Sequence, residues 1–425
     1  LGLFFVLCAL ILPVLYKKYP KSKAAMVNII LFDNEVREHL LPLTYTRPVC
    51  ELRIGILTIR EKWERWMNAR VSYITQDYLA EKYAIEYMGD NFLINGSVLP
   101  SDQLCRLLAQ MDKGDALLQG DELVAARLDE EQMERLMHDE DFGELRGFDL
   151  ENTNYLKISN LWDFYRLNDA ALREDFELIT RGRTSQPISA TNRCIGEEQI
   201  FLEPGAKVEF STLNATTGPI YIGTNAEIME GCLIRGGLAM GEGAILKMGA
   251  KIYGPTTIGP YCKVGGEVNN SVLNGYSNKA HDGFLGNSVL GEWCNLGADT
   301  NTSNLKNNYD EVRLWNYPAG RFTPTGQQFC GLVMGDHAKC GINTMFNTGT
   351  VVGVCANVFG DGYPRNFIPS FAWGGAAGYQ TFRIDKAYET IERVMARRDR
   401  SFEVEDRLIL LRIYEDSAKY RVWEK

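Results

Sequence analysis

Every sixth residue from Ile222 onward is aliphatic: Ile222, Ile228, Ile234, Met240, Leu246, Ile252, Ile258 and Val264. The residues two places earlier, Ala226, Cys232, Leu238, Ala244, Ala250, Thr256 and Cys262, are mostly small. A helix repeats its buried face about every 3.6 residues and a strand about every 2, so neither explains a spacing of six. A chain that turns a corner every six residues does. Three such turns close one triangular coil, with aliphatics pointing inward and small residues in the corners. Coils of this kind stack at the strand spacing of about 4.8 Å and form a parallel β-helix. Gly223, Gly241, Gly259 and Gly265, each just after an inward residue, suit backbone that must turn without a Cβ.

The pattern begins near Ile188, is interrupted after Val264 and resumes at Phe284, Leu290 and Leu296. It breaks again over 304–328 and returns at Met334, Cys340, Phe346, Val352 and Val358. The second break carries Trp315, Tyr317 and Phe322 and reads as an ordered loop projecting from one edge. Interruptions are where a solenoid can build a site, because loops escape the stacking constraint.

Ahead of the solenoid, strand-like runs at 27–32, 71–75, 91–95 and within 117–128 alternate with helix-like runs at 54–66 and 130–138. That alternation predicts an α/β domain over 27–160, followed by a helical linker over 161–187. The β-helix is expected over 188–360 and a helical cap over 361–425. In the cap, Ala387, Ile391, Val394 and Met395 share one face behind Asp385, an expected N-cap. Val404, Leu408 and Leu411 make a second stripe. Such helices cover the strand edges that a solenoid end exposes. Arg393, Arg397, Arg398 and Arg400 read either as a phosphate site or as a solvated basic face.

Residues 1–25 stand apart. An apolar run to Tyr16 is broken by Pro13 and followed by Lys17, Lys18, Lys21 and Lys23. It is shorter than the roughly 20 residues a spanning helix needs and lacks the charge order of a signal peptide. It reads as upstream sequence outside the working protein or as a weak membrane anchor. The net charge of -10 argues against nucleic acid as a partner. The ten cysteines form no C-x-x-C pair and the four histidines are scattered, so no zinc pattern appears. Cys232, Cys262 and Cys294 fall at corner positions, where a thiol serves as a small hydrophobe. Reduced thiols point to a cytoplasmic protein.

Chemistry concentrates between Ser277 and Lys306, which spell S-x-x-x-H-x-x-F-x-G-x-S-x-x-G-x-x-x-N-x-G-x-x-T-x-x-x-N-L-K. This stretch resembles the acetyltransferase half of the GlmU-like bifunctional enzymes. Those enzymes make UDP-N-acetylglucosamine from glucosamine 1-phosphate, acetyl-CoA and UTP. It is similar also to archaeal-type sugar-1-phosphate nucleotidyltransferases with acetyltransferase tails. The resemblance implies an α/β nucleotidyltransferase-like N-terminal domain, a left-handed parallel β-helix acyltransferase domain and a helical C-terminal cap. It implies a homotrimer whose acetyl-CoA sites are shared between subunits, and Mg²⁺ for the nucleotidyl step, bridging phosphates with few protein ligands.

Matched by position, His281 stands where the family has its general base, which takes a proton from the sugar amine as it attacks the thioester. An imidazole ordinarily titrates near pH 6.5, about right for that task. Asn295 and Asn304 match asparagines that contact the sugar. Phe284 replaces a usual tyrosine, so that hydroxyl is missing, and Lys306 lies near a family lysine at a different spacing. The family's GAGT reads Gly297-Ala298-Asp299-Thr300, which adds a charge. For the sugar phosphate, Lys263 and Lys279 are the nearby cations.

The front departs further from the family. There is no Gly-rich G-x-G-T-R-M loop; Leu43-Thr44-Tyr45-Thr46-Arg47-Pro48 and then Arg53 stand there instead. This looks like the variant front end of a shortened GlmU-like group in some bacteria. Arg47, Arg53 and Arg60, with Arg37 and Lys62 nearby, are the expected nucleotide-binding residues, supplying by side-chain charge what the loop lacks in amides. Where the family places a Gly-Asp metal ligand this chain has Asn95-Gly96, and Asp121 comes too late to align. The metal ligand stays open. The expected activity is acetylation of glucosamine 1-phosphate and uridylyl transfer to the product. The rivals are a non-catalytic, nucleotide-sugar-binding trimeric scaffold or regulator, and the same chemistry on another sugar 1-phosphate.

Overall fold

The computed structural model describes residues 27–424 apart from 139, 142 and 152; the apolar leader over 1–25 lies outside the described residues. The chain divides into two compact units. Of the described residues, the first takes 27–40, 46–52 and 57–159. The second takes 41–45, 53–56 and everything from Asn160 on.

The first unit is a Rossmann-like α/β layer. Its strands are β1 (Asn28–Phe32), β2 (Arg70–Ile74), β3 (Asp90–Asn95), β4 (Asp115–Gln119), β5 (Glu122–Asp129) and β6 (Arg146–Asp149). They lie in the order β2-β1-β3-β5-β4-β6. β1 runs parallel to both β2 and β3, and the β4–β5 hairpin turns at Gly120 (φ +57°), where a left-handed residue is needed. Ile30, Phe32, Leu93 and Ala126 form one face of the core with Met133 and Leu136 of α3 (Glu130–Met137). A helix was expected over 54–66. Helix α1 (Ile59–Met67) starts later because Thr58 and Glu61 form a capping box that satisfies its first N–H groups. Helix α2 (Asp102–Gln110) is capped by Ser101, whose side chain accepts from Leu104 N at 3.2 Å.

The second unit is a left-handed parallel β-helix with helices at both ends. Helix α4 (Asn168–Thr180) precedes it, after a short helical turn at Asp163–Arg166, so the helical linker expected over 161–187 is in two pieces. One face stacks nine strands, from Ile200–Leu202 through Leu238–Met240 and Val289–Glu292 to Phe367–Ile368. All eight aliphatics of the six-residue series are buried, as are the seven small residues before them. The sequence gap after Val264 is not a gap in space. Ile234 stacks on Ile252 after eighteen residues, but Val264 stacks on Lys279 after only fifteen, so coils shorten and continue. The inward residue after this shortening is Leu285, not Phe284 as the period suggested; Leu285 is fully buried and pairs with Val268. The strands run past residue 360 to Ala372–Gly375 and Gly378–Thr381.

Two expectations about turns change as well. Gly223, Gly241 and Gly259 are required by the neighbouring coil: a Cβ on Gly259 would sit 1.9 Å from Asn274 O. The left-handed corner itself is held by Gly243, Tyr261, Tyr276, Trp293 and His337, one per coil. Their aromatic rings stack in series, with Tyr276 and Trp293 only 4.2 Å apart. The insertion over 304–328 is a hairpin (Arg313–Asn316 with Arg321–Pro324) that packs back rather than projecting: Trp315 stacks on Phe367 at 4.1 Å. In the cap, helix α5 (Ile384–Ala396) begins after Arg383, and Asp385 sits inside its first turn, bonded to the Arg383 guanidinium. Helix α6 (Val404–Asp416) buries Ile409, Leu410 and Ile413, not the expected Leu408 and Leu411 stripe, which is exposed.

Candidate functional site

In the second unit, the shortened coils put an unusual side chain in the core. Lys279 takes the inward position of the ladder Val208, Ile228, Leu246, Val264 and is 2 % exposed. Its ammonium donates to Gly265 O at 2.9 Å and His281 O at 2.6 Å. Burial pulls the ammonium down to about 8, against the opposing pull of Asp282 and Asp299. The next turn presents His281, exposed, with its backbone tied down by that lysine. Sequence spacing gave no hint of this, because a lysine at an inward position reads as a break in the repeat.

The other expected residues distribute over neighbouring coils. Phe284 N donates to Asn301 Oδ1 at 2.9 Å, and the Phe284 ring and the Asn304 amide converge over Gly286, where a Cβ would lie 2.5 and 2.6 Å from them. Asn304 Nδ2 donates to Asn287 Oδ1 at 2.8 Å. Asn295 stacks between Asn278 and Lys339 on another face, with Asn278 Nδ2 3.4 Å from its Oδ1. Lys306 donates to Glu311 O at 2.6 Å and holds its own loop.

A group of cations that spacing could not assemble lies beside Asn278. Arg398, just beyond α5, donates from Nη2 to Asn278 Oδ1 at 3.2 Å. The Lys263 ammonium is pulled down by burial first, then by the charges of Arg398, Lys247 and Arg397. Arg400 lies over the Tyr276 ring at 5.7 Å. Lys263, Lys247, Arg397 and Arg398 thus gather like charges in one place, a candidate for holding an anion. Lys263 was expected near the sugar phosphate; Arg397 and Arg398 reach it from a segment more than a hundred residues later.

In the first unit, the strand order changes direction at β1: the chain goes from β1 to β2 on one side, then to β3 on the other. The crevice at the carboxyl ends of β1 and β3 is the switch point where α/β sheets take ligands. Asp33 and Asn34 follow β1, Asn95 ends β3, and Glu122 opens β5 beside it. Asp33 accepts from Val49 N at 2.9 Å and Thr75 Oγ1 at 2.6 Å, and burial pushes its carboxyl up. Asn34 Nδ2 and Asn95 Nδ2 each donate to Glu122 Oε1 at 3.0 Å, and Lys157 Nζ lies 2.5 Å from the same oxygen and also contacts Oε2. Asn95 Oδ1 is taken by Ser97 N and Oγ. The exposed Asp121 is outdone by its neighbour Glu122 as the carboxylate of this crevice.

Of the three expected nucleotide arginines, Arg47 and Arg60 lie in the first unit and Arg53 in the second. Arg47 is buried in the first unit. Arg60 spends its guanidinium on Glu51 and Glu64, both at 2.6 Å. Arg53 belongs to the second unit, where its backbone N donates to Asn274 Oδ1 at 2.9 Å.

Residues 29–184 match the family model described as sugar nucleotidyl transferase. No curated protein matches the chain. Among solved structures, the chain is similar to LpxA, a UDP-N-acetylglucosamine acyltransferase from Bacteroides fragilis 9343, at 14 % identity over 56 % of this chain and 95 % of that one, TM-score 0.27. It is also similar to a UDP-N-acetylglucosamine acyltransferase of Arabidopsis (13 % identity, 48 % and 77 % covered, TM-score 0.23). A third similarity is to AntD, an N-acyltransferase from Bacillus cereus (10 % identity, 49 % and 87 % covered, TM-score 0.21). At such identities and scores these three say nothing of what this chain acts on. Among the described residues no helix is long and apolar enough to cross a membrane.

Proposed function

We propose that the chain is a two-site transferase of sugar 1-phosphates: the β-helix acetylates an amino-sugar 1-phosphate and the front unit joins a nucleotide to it. The carrying observation is the exposed His281 on a turn anchored by Lys279, with a cluster of cations gathered around Asn278 in the same unit. His281 takes the proton from the sugar amine as it attacks the acetyl-CoA thioester; the C–N bond forms, the C–S bond breaks and the thiol leaves. Lys263, Arg397 and Arg398 hold the sugar phosphate through charge-assisted bonds. Asn295, stacked on Asn278 beside these cations, contacts the sugar. The sugar nucleotidyl transferase match over 29–184 supports the second reaction, with UTP as donor and Mg²⁺ arriving on the triphosphate. Glucosamine 1-phosphate is the sugar we favour, from the resemblance of the stretch around His281. The working form is a cytoplasmic homotrimer, in which a neighbouring subunit completes the acetyl-CoA site. The test is to incubate the full chain with glucosamine 1-phosphate, acetyl-CoA and UTP and identify the products by mass.

A further inference from the structure

The front crevice holds its carboxylates in a way that does not fit a protein-bound divalent cation. Mg²⁺ takes near-octahedral oxygens, commonly one or two carboxylates with waters and phosphates. Here both oxygens of Asp33 accept hydrogen bonds from Val49 and Thr75, and its carboxyl is pushed toward the neutral form. Asn95 offers an amide whose oxygen is already occupied by Ser97. Glu122 receives three nitrogen donors, from Asn34, Asn95 and Lys157. The two amides turn their N–H groups toward Glu122, so the polar ends a cation would need face the wrong way. Among the described residues no group of three or more His, Cys, Asp or Glu could hold a metal.

The Lys157 ammonium is built into this place. Its backbone pairs with Val98, and the bonds Leu99 N to Leu156 O and Ile158 N to Ser97 O (both 2.9 Å) lash its segment to the loop after β3. The side chain retains 22 % of its surface open to solvent, enough to meet a ligand while Glu122 orients it.

We propose that Lys157, aimed by Glu122, stands where a protein-held divalent cation would sit, so that this crevice binds the phosphates of a nucleoside triphosphate on an ammonium. This rests on the reading of the front unit as a nucleotide site. A cation travelling on the triphosphate stays compatible with it; a cation site on the free protein does not.

Two titrations of the full chain test it: UTP by calorimetry, in EDTA and in Mg²⁺, and Mn²⁺ by electron paramagnetic resonance without nucleotide. The expected results are UTP affinities within about threefold of each other in the two buffers and no saturable Mn²⁺ site in the millimolar range. Lys157→Met should weaken UTP binding in EDTA tenfold or more, with Lys157→Arg retaining most of it; thermal melting checks that both variants fold. UTP binding that requires Mg²⁺, or Mn²⁺ binding that is lost in Glu122→Gln, overturns the proposal while leaving the nucleotide reading intact. Absence of UTP binding in both buffers brings down the nucleotide reading itself, and this proposal with it.

Discussion

Lys279 takes an inward place that Val208, Ile228, Leu246 and Val264 hold on the four preceding coils. Burying an ammonium is costly, and its bonds to Gly265 O and His281 O offset part of that cost. The consequence is a pH dependence with a definite sign. The native chain releases this proton near pH 8, whereas the unfolded chain keeps it to about the usual lysine value of 10.5. Between those values the unfolded state binds more protons, so stability rises with pH. Wild-type protein should therefore gain stability relative to Lys279→Met from pH 8 to 10.5, read as converging or crossing melting temperatures; parallel curves would contradict the assignment. Arg398 makes a second residue-scale prediction. If it holds the sugar phosphate, Arg398→Ala removes a charge-assisted bond worth roughly 1.5–3 kcal/mol. KM for the sugar 1-phosphate should rise tenfold or more with kcat little changed, and an unaltered KM would place the phosphate elsewhere. Lys279 and Arg398 could be named from the sequence as phosphate candidates, but not where they would lie. Lys279 looked like a gap in the repeat, and Arg398 meets Asn278 only because the cap folds back along the coil.

At the scale of elements, the six-residue series could be read because each position has one fate: Ile222 through Val264 all point into the core. The count failed where coils shorten. Dropping three residues between Val264 and Lys279 keeps the stacking but shifts the phase, so the period points to Phe284 while the inward residue is Leu285. The helix expected from residue 54 starts at Ile59, where Thr58 and Glu61 form its capping box. The antiparallel hairpin in the insertion was invisible because Trp315 finds its partner, Phe367, 52 residues on. An inward aliphatic is a clean test of the element. Ile252→Ala should destabilise the solenoid by about 2–5 kcal/mol, the usual cost of a cavity in a close-packed core. Denaturant unfolding would show it; a loss below about 1 kcal/mol would mean the site collapses without strain, contrary to a stack of fixed coils.

For the whole molecule, the two units make separate claims. The parallel coils expose His281 on an outer turn, and the acetyl-CoA site we propose there is completed by a neighbouring copy. Sedimentation at micromolar concentration should accordingly give a trimer, and a monomer alone would remove that part of the account. The parallel β-helix and the α/β layer are legible in spacing and alternation, while the crevice around Glu122 is not: only the β3–β5 pairing shows that Glu122, rather than Asp121, faces Asn95. The most direct test of the central claim is acetyl transfer itself, followed by product mass, with wild type and His281→Ala side by side. The account predicts acetylated glucosamine 1-phosphate from wild type, a fall in kcat of about 10²–10⁴ in the variant, and nucleotidyl transfer untouched by the change. Acetylation by His281→Ala at the wild-type rate would contradict it.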